Sequence, residues 1–442
     1  MLVIPDAGRA QPSVSSFKLA NGMQVVVIAD HRAPVVTHMV WYRTGAGEDP
    51  WGKSGIAHFL EHLMFKATAK LKTGEFTRIV TRLGGRHNAL TSHDTTSYFQ
   101  RIAKRHLQRV MELEADRMVN VRLVEEEVRT ELDVIQEERR SNVDGSPISL
   151  LNEQMLAQLY QNHPYGRPVL GWAHEIGKLT LQDAADFYAM YYAPNNALLV
   201  VAGDVTVDEV RSLAEATYGQ NKPNLAVAPR ARPSEPPPLA TRWLRVEDGR
   251  IGAPIVLRYY LVPSVRAAKP GDAEALALLA RILGGDDTSR LYRRLVLEKK
   301  IAAQSGADYQ GSAMDSGRVA LLGLASKELP TREIEAAFDE IIAEVRVSGV
   351  THEELDRAKL ALEAARVFDV DNQEKFARRI GEAVTIGRAI EDIEAEAQRV
   401  EAVTLDDIKR IAAAYLVPER SVTGAMVRPG AKPKIATSAP RR

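Results

Sequence analysis

Five consecutive residues, His58-Phe59-Leu60-Glu61-His62, carry the most chemistry in this chain. They read H-x-x-E-H, two imidazoles and a carboxylate within little more than one helical turn. On a helix, residues three and four apart share a face, so His58 and His62 can grip one ion with Glu61 beside them. Two neutral nitrogen ligands, an open position for water and a carboxylate to take the water's proton are the parts of a zinc hydrolase site. Ile56, Phe59, Leu60 and Leu63 form the apolar stripe that buries such a helix over 55–65, and Ser54 is placed to cap it. A lone helical histidine is ordinarily a surface or satisfied core residue. Three ionisable groups on one face of a largely apolar helix are costly to bury unless a cation or a network compensates.

A catalytic zinc site keeps three protein ligands and one water. The helical stretch 124–140 offers Glu125, Glu126, Glu127, Glu131, Glu137 and Glu138 for the third. Most of these read as solvated charges on an exposed face. Glu131 and Glu138 lie seven apart, on one face with Val134 and Ile135, and that apolar company turns a glutamate inward. Spacing does not separate Glu137 from Glu138.

The rest of the chain bounds this reading. With no cysteine, disulfides and thiolate ligands are excluded, so a metal must be held by His, Asp or Glu. Fifty-eight basic and 58 acidic residues cancel, so no basic excess points to nucleic acid or an anionic membrane. No run of about 18 apolar residues spans a membrane. The first residues, Met1 to Ser13, lack a full apolar signal region, which favours the cytoplasm. Ala7 to Ala10, read as the scar of a removed signal peptide, keep the periplasm as the alternative. A length of 442 residues, 45% of them hydrophobic, calls for at least two soluble domains.

Those domains are two copies of one pattern. Ala33-Pro34-Val35-Val36 precedes an apolar run reaching Trp41 and Tyr42, and Ala253-Pro254-Ile255-Val256 precedes one reaching Tyr259 and Tyr260. Thr180 starts a helix that ends at Tyr191-Tyr192-Ala193-Pro194, and Thr404 starts one that ends at Tyr415-Leu416-Val417-Pro418. Each has a Thr cap, an acidic first turn, a following Pro and then a short apolar strand. The expected organisation is a metal-binding domain over 14–220, a Pro-rich linker over 221–240 and a homologous domain over 241–430. In the first copy, 25–28, 35–42 and 88–102 read as strands and 77–83 and 106–119 as further helices. The fold class is α+β, with helices on one face of a mainly antiparallel sheet.

These features together resemble the pitrilysin and insulinase-type zinc peptidases, to which the mitochondrial processing peptidase is related. The inverted H-x-x-E-H is that family's signature. Glu131 and Glu138 match its distal E-x-x-x-x-x-x-E, Gly84-Gly85-Arg86-His87-Asn88-Ala89-Leu90-Thr91 resembles its glycine-rich turn and N-A-x-T strand, and His163-Pro164-Tyr165-Gly166 resembles another recurrent segment. The resemblance covers about 15 to 430. It implies two homologous α/β rolls in a clam-shell that encloses a chamber, one Zn2+ held by His58, His62 and Glu138, Glu61 as general base, and Glu131 as a supporting glutamate that orients a ligand or the base. It further implies that a peptide substrate adds as a strand beside Asn88 and Ala89. At an offset of 220, the second copy places Leu278, Arg281 and Ile282 where the first has His58, Glu61 and His62, so it binds no metal there.

In one respect the chain departs from the family. Single-chain members, and the partner subunit of two-chain members, carry an Arg and Tyr pair in a segment resembling S-R-L-x-x-x-L-R-x-x-x-G-L-A-Y. Here Ser289-Arg290-Leu291 opens the segment, but the two positions fall on Val296 and Ala303, and Arg293, Arg294 and Tyr309 do not restore the spacing. The resemblance therefore implies a heterodimer whose homologous partner supplies the pair. The competing reading is a non-catalytic structural or peptide-binding subunit, which the retained motif residues argue against.

Overall fold

The computed structural model describes residues 13–326 and 331–430. Ala7 to Ala10 lie outside the described residues. The described residues form two compact units, interleaved in sequence: one from 13–137, 168–231 and 364–393, the other from 138–167, 232–326, 331–363 and 394–430.

The sheet of the first unit has six strands: β1 (Val14–Lys18), β2 (Gln24–Ala29), β3 (Val35–Tyr42), β4 (Arg86–Thr91), β5 (Thr96–Ala103) and β6 (Ala197–Gly203). They lie in the order β1-β2-β6-β3-β5-β4, and among the described residues of this sheet only β2 and β6 pair in parallel. The second sheet has β7 (Arg242–Glu247), β8 (Ile255–Pro263), β9 (Ala302–Gln310), β10 (Ser316–Ala325) and β11 (Ser421–Val427), in the order β7-β11-β8-β10-β9. Here β7 and β11 are the parallel pair. Without β1 the two orders are the same, so the duplication read from the sequence is a duplication of topology. The stretch 88–102, expected to be extended throughout, is a hairpin that turns between β4 and β5 at Ser92 to Thr95.

Five helices matter to the site and its support: α1 (Ile56–Leu63), α2 (Glu75–Arg82), α3 (Leu107–Asn120), α4 (Glu125–Arg139) and α5 (Pro147–Leu159). One face of the first sheet, with Val25, Val27, Val36, Val40, Leu199 and Val201, packs against Phe59, Leu60 and Leu63 of α1 and Val110 and Met111 of α3. This is the helical layer that period-2 strands facing period-3.6 helices demand. The other face is covered as well. Val26, Ile28, Met39, Trp41 and Val200 meet Ala377, Ile380 and Val384 of the helix Gln373–Thr385. Gly381 permits this approach, because a Cβ there would sit 2.3 Å from Trp41 Nε1.

The second sheet is built the same way. Val256, Tyr260, Val319 and Leu321 pack on Leu276, Leu279, Phe338 and Ile341. Its opposite face, with Leu257, Tyr259, Val422 and Met426, is covered by Leu151, Met155 and Leu159 of α5. A Cβ on Gly424 would lie 2.4 Å from Met155 Sδ, so here too a glycine allows the close packing. The units thus exchange one helix each: α5 comes from the first sequence copy and Gln373–Thr385 from the second. The repeated caps are equally alike. The Thr180 and Thr404 hydroxyls each accept the N–H three residues on, at 3.2 Å, and Asp183 and Asp407 reach back to the cap N–H at 2.9 and 3.0 Å. The stretch 221–241 holds no helix or strand.

Candidate metal centre

The motif helix α1 begins differently from the sequence expectation. Its cap is Gly55, in the left-handed region at φ 90°, and the first N–H groups are accepted by Asp49: Gly55 N–H at 2.7 Å and Ala57 N–H at 3.1 Å. Ser54 does not cap the helix. Its hydroxyl accepts the Trp172 N–H at 2.9 Å, and its own N–H donates to Glu175 at 2.8 Å. A carboxylate satisfies two orphan donors at once and complements the positive end of the helix, which a serine hydroxyl would do less well. The stripe Ile56, Phe59, Leu60 and Leu63 is fully buried as the spacing requires. It fixes the rotation of α1 and therefore where His58, Glu61 and His62 point.

His58 and Glu61 are buried and His62 is partly so. The two imidazoles stand 4.7 Å apart, ring centre to ring centre. Glu138, in the last turn of α4, completes the group: one ligand atom from each of His58, His62 and Glu138 lies within 4.8 Å of the others. This separates the two neighbours that spacing left together, since Glu137 is exposed and Glu138 half-buried. The boundary between the compact units falls inside α4, after Glu137, so Glu138 is held by the same continuous helix as Glu131. Val134, expected on the inward stripe, is 45% exposed, whereas Ile135 is buried. At about 100° per residue, Val134 lies about 60° to one side of Glu131 and Ile135 about 40° to the other, so α4 turns its Ile135 side to the core and its Val134 side to solvent. Immediately after Glu138, Arg139 makes a buried two-pronged ion pair with Glu153 at 2.7 and 3.1 Å, which pins the end of the helix.

Glu131 points inward and stands behind His62. Its Oε1 accepts from His62 Nδ1 at 2.9 Å, and its Oε2 accepts from Lys66 Nζ. An Nδ1–H donated to a carboxylate puts the ring's lone pair on Nε2, the tautomer a metal needs. The hydrogen bond from His62 first, and Lys66 after it, hold the Glu131 carboxyl down at about 2, against the opposing effect of burial. His58 is pushed down to about 3 by burial and then by the neighbouring His62, so at neutral pH it is an uncharged imidazole. Two imidazoles and one carboxylate fit zinc, with a coordination position to spare. Among the described residues no other group of this kind occurs.

Glu61 is held by Thr91, whose hydroxyl donates to Glu61 Oε2 at 2.6 Å. Thr91 ends β4, the edge strand of the sheet. Along β4, Arg86, Asn88 and Leu90 are exposed, His87 and Ala89 half-buried and Thr91 buried. The Asn88 side chain therefore points away from the face that carries Thr91, while Ala89 shares that face. Sequence reasoning missed Asp49, Lys66 and the bond from Thr91. Lys66 lies four after His62, and period-2 alternation from Ala89 reaches Thr91, so the spacing of both was available.

The second unit repeats the scaffold without the chemistry. The matching helix Asp272–Gly284 is also capped by a left-handed glycine, Gly271 at φ 86°. Aligned on these caps, His58, Glu61 and His62 fall on Glu274, Ala277 and Leu278 rather than on the residues at an offset of 220. The register moves by four positions because fewer residues precede the helix after β8 than after β3. Glu274 is ion-paired with Arg399 at 2.6 Å, and no ligand pair remains. Val296 is partly buried against the second core and Ala303 is exposed on β9. Nearby cationic and phenolic groups are engaged: Arg290 with Glu354 at 2.7 Å, Arg294 with Glu344 at 3.0 Å, and the Tyr309 hydroxyl with the Pro263 carbonyl at 2.8 Å.

An α+β duplication with an inverted H-x-x-E-H helix and a distal glutamate defines an inverted zinc-peptidase architecture. The comparisons agree. Residues 24–172 match the model of insulinase (peptidase family M16), and residues 178–362 match that of the peptidase M16 inactive domain. A zinc protease PqqE of Helicobacter pylori is 34% identical over 372 residues, 83% of this chain and 82% of the relative. A protein named probable mitochondrial-processing peptidase subunit beta, from Arabidopsis thaliana, is 24% identical over 92% of this chain and 76% of its own length. The crystal structure of a protease from Helicobacter pylori superimposes with a TM-score of 0.88 at 29% identity, covering 95% of this chain and all of that one, 100%. The chain belongs to peptidase family M16, the pitrilysin and insulinase type. No helix among the described residues is long and apolar enough to cross a membrane.

Proposed function

We propose that this chain is the zinc-bearing subunit of a metalloendopeptidase that hydrolyses peptides or unfolded segments. The observation that carries the reading is the convergence of His58, His62 and Glu138 to within 4.8 Å beside Glu61. A zinc ion held by these three would supply Lewis-acid polarisation of a water and of the scissile carbonyl. Glu61 takes the proton of the attacking water and hands it to the leaving amine. Glu131 holds His62 in the ligating tautomer, and Lys66 keeps Glu131 charged and aimed.

The substrate strand adds at β4. The Ser92 N–H is directed at the Thr95 carbonyl, 2.8 Å away. Backbone groups alternate sides along a strand, so those of Thr91 and Ala89 face the open edge. Main-chain pairing at Ala89 with little side-chain preference suits a general peptidase, and Asn88 presents its side chain to the opposite face. The absence of an Arg and Tyr at Val296 and Ala303 supports a heterodimer in which a homologous subunit provides them, in keeping with a relative named as a subunit.

Peptide hydrolysis by the zinc-loaded chain, alone and mixed with a homologous subunit of its own source that carries the pair, tests this reading. Turnover confined to the mixture is expected. Full turnover by the chain alone overturns the two-subunit requirement, and none in either preparation favours the non-catalytic alternative.

A further inference from the structure

We propose that Thr91 is the positioning residue of the general base, and that it ties the base to the strand on which substrate docks. The proposal rests on the peptidase reading above. Thr91 is 8% exposed and Glu61 9% exposed, so the 2.6 Å bond between them is shielded from water. A short O–H···O⁻ bond in such surroundings is among the stronger hydrogen bonds a neutral side chain makes, and it restricts the carboxylate to one orientation.

The hydroxyl is itself placed. Thr91 Oγ1 lies 3.4 Å from Thr96 Oγ1, directly across the hairpin, and Thr91 is the Cα partner of Thr96. Behind them Tyr98 and Tyr192 join hydroxyls at 3.0 Å in the buried core. The base is therefore backed by a packed polar cluster instead of solvent. The side chain of Thr91 holds Glu61, and its main chain faces the open edge of β4. A peptide that pairs with this edge bonds to the very residue that aims the base. The strand that receives the peptide is then the strand that aims the base, which fixes substrate and Glu61 relative to each other through a single residue.

The experiment compares Thr91→Val and Thr91→Ser with the wild type, each zinc-loaded and supplied with its partner subunit. Zinc affinity of the metal-free protein, affinity of the zinc-free protein for a test peptide, and the melting temperature are measured alongside kcat and KM. Thr91→Val keeps the shape and loses the donor. It is expected to lower kcat about 100-fold, the scale of a misplaced catalytic group. KM, zinc affinity, peptide affinity and melting temperature should stay within about twofold or a few degrees of wild type on the same argument. Thr91→Ser should recover most of kcat. An unchanged kcat in Thr91→Val overturns the proposal, as does a loss explained by weakened zinc or a lowered melting temperature, or a Thr91→Ser variant as slow as Thr91→Val. Absence of turnover in the wild type would instead overturn the peptidase reading on which the proposal rests.

Discussion

The two units share a strand order, a parallel pair at the same place, a glycine-capped helix and a covering helix borrowed from the other sequence copy, yet among the described residues α1 carries candidate metal ligands and its counterpart Asp272–Gly284 carries none. The contrast separates what the fold needs from what the chemistry needs. Leu60 and Leu276 occupy the same turn after Gly55 and Gly271, and both are fully buried. His58, Glu61 and His62 on one helix stand against Glu274, Ala277 and Leu278 on the other. The scaffold thus accepts at those positions either a candidate ligand set or an ion pair, buried Glu274 with Arg399, beside apolar residues.

The comparison can be broken most severely at the base. Glu61→Gln should lower peptide turnover by about 10²–10⁴-fold, the usual contribution of general acid–base catalysis, while zinc is retained. Ala277→Gln, at the matching position, should leave turnover unchanged. Equal losses from both changes, or retained hydrolysis in Glu61→Gln, would remove the asymmetry. Steady-state kinetics with metal analysis of each variant decides it.

A second test asks whether the scaffolds are equivalent in energy as well as in shape. Leu60→Ala and Leu276→Ala each leave a cavity between helix and sheet and should each cost about 2–5 kcal/mol, measured by denaturant unfolding of the unit concerned. Only Leu60→Ala should also weaken zinc, because it loosens the helix that holds two ligands. The smallest effect concerns Glu131. Glu131→Gln should weaken zinc binding by about 10-fold, at the low end for an outer-shell partner, because an amide can still accept from His62. Competition with a chromophoric chelator reads that change.

Much of this was legible in the sequence, for reasons that differ by element. The duplication showed because capping chemistry is local: Thr180 with Asp183 and Thr404 with Asp407 write the same box twice. The H-x-x-E-H spacing needs only helical geometry, and the apolar stripe of α1 fixes its rotation. What stayed hidden is tertiary. Asp49 caps α1 from outside the helix, displacing the expected Ser54. Val134 and Glu138 could be sorted only once α4 had a neighbour to face. The register of the second copy depended on where Gly271 begins its helix, and a fixed offset misplaced it. The exchange of α5 and Gln373–Thr385 between units leaves no mark on local periodicity, although Gly381 and Gly424 are where close packing requires the absence of a side chain.

The most direct measurement is the zinc stoichiometry and affinity of the wild type, Glu138→Gln and Glu137→Gln. One ion per chain, lost in Glu138→Gln and kept in Glu137→Gln, is the result expected if α1 and the last turn of α4 form a single site. Equal binding by all three proteins, loss in Glu137→Gln, or a second tightly bound ion would contradict it.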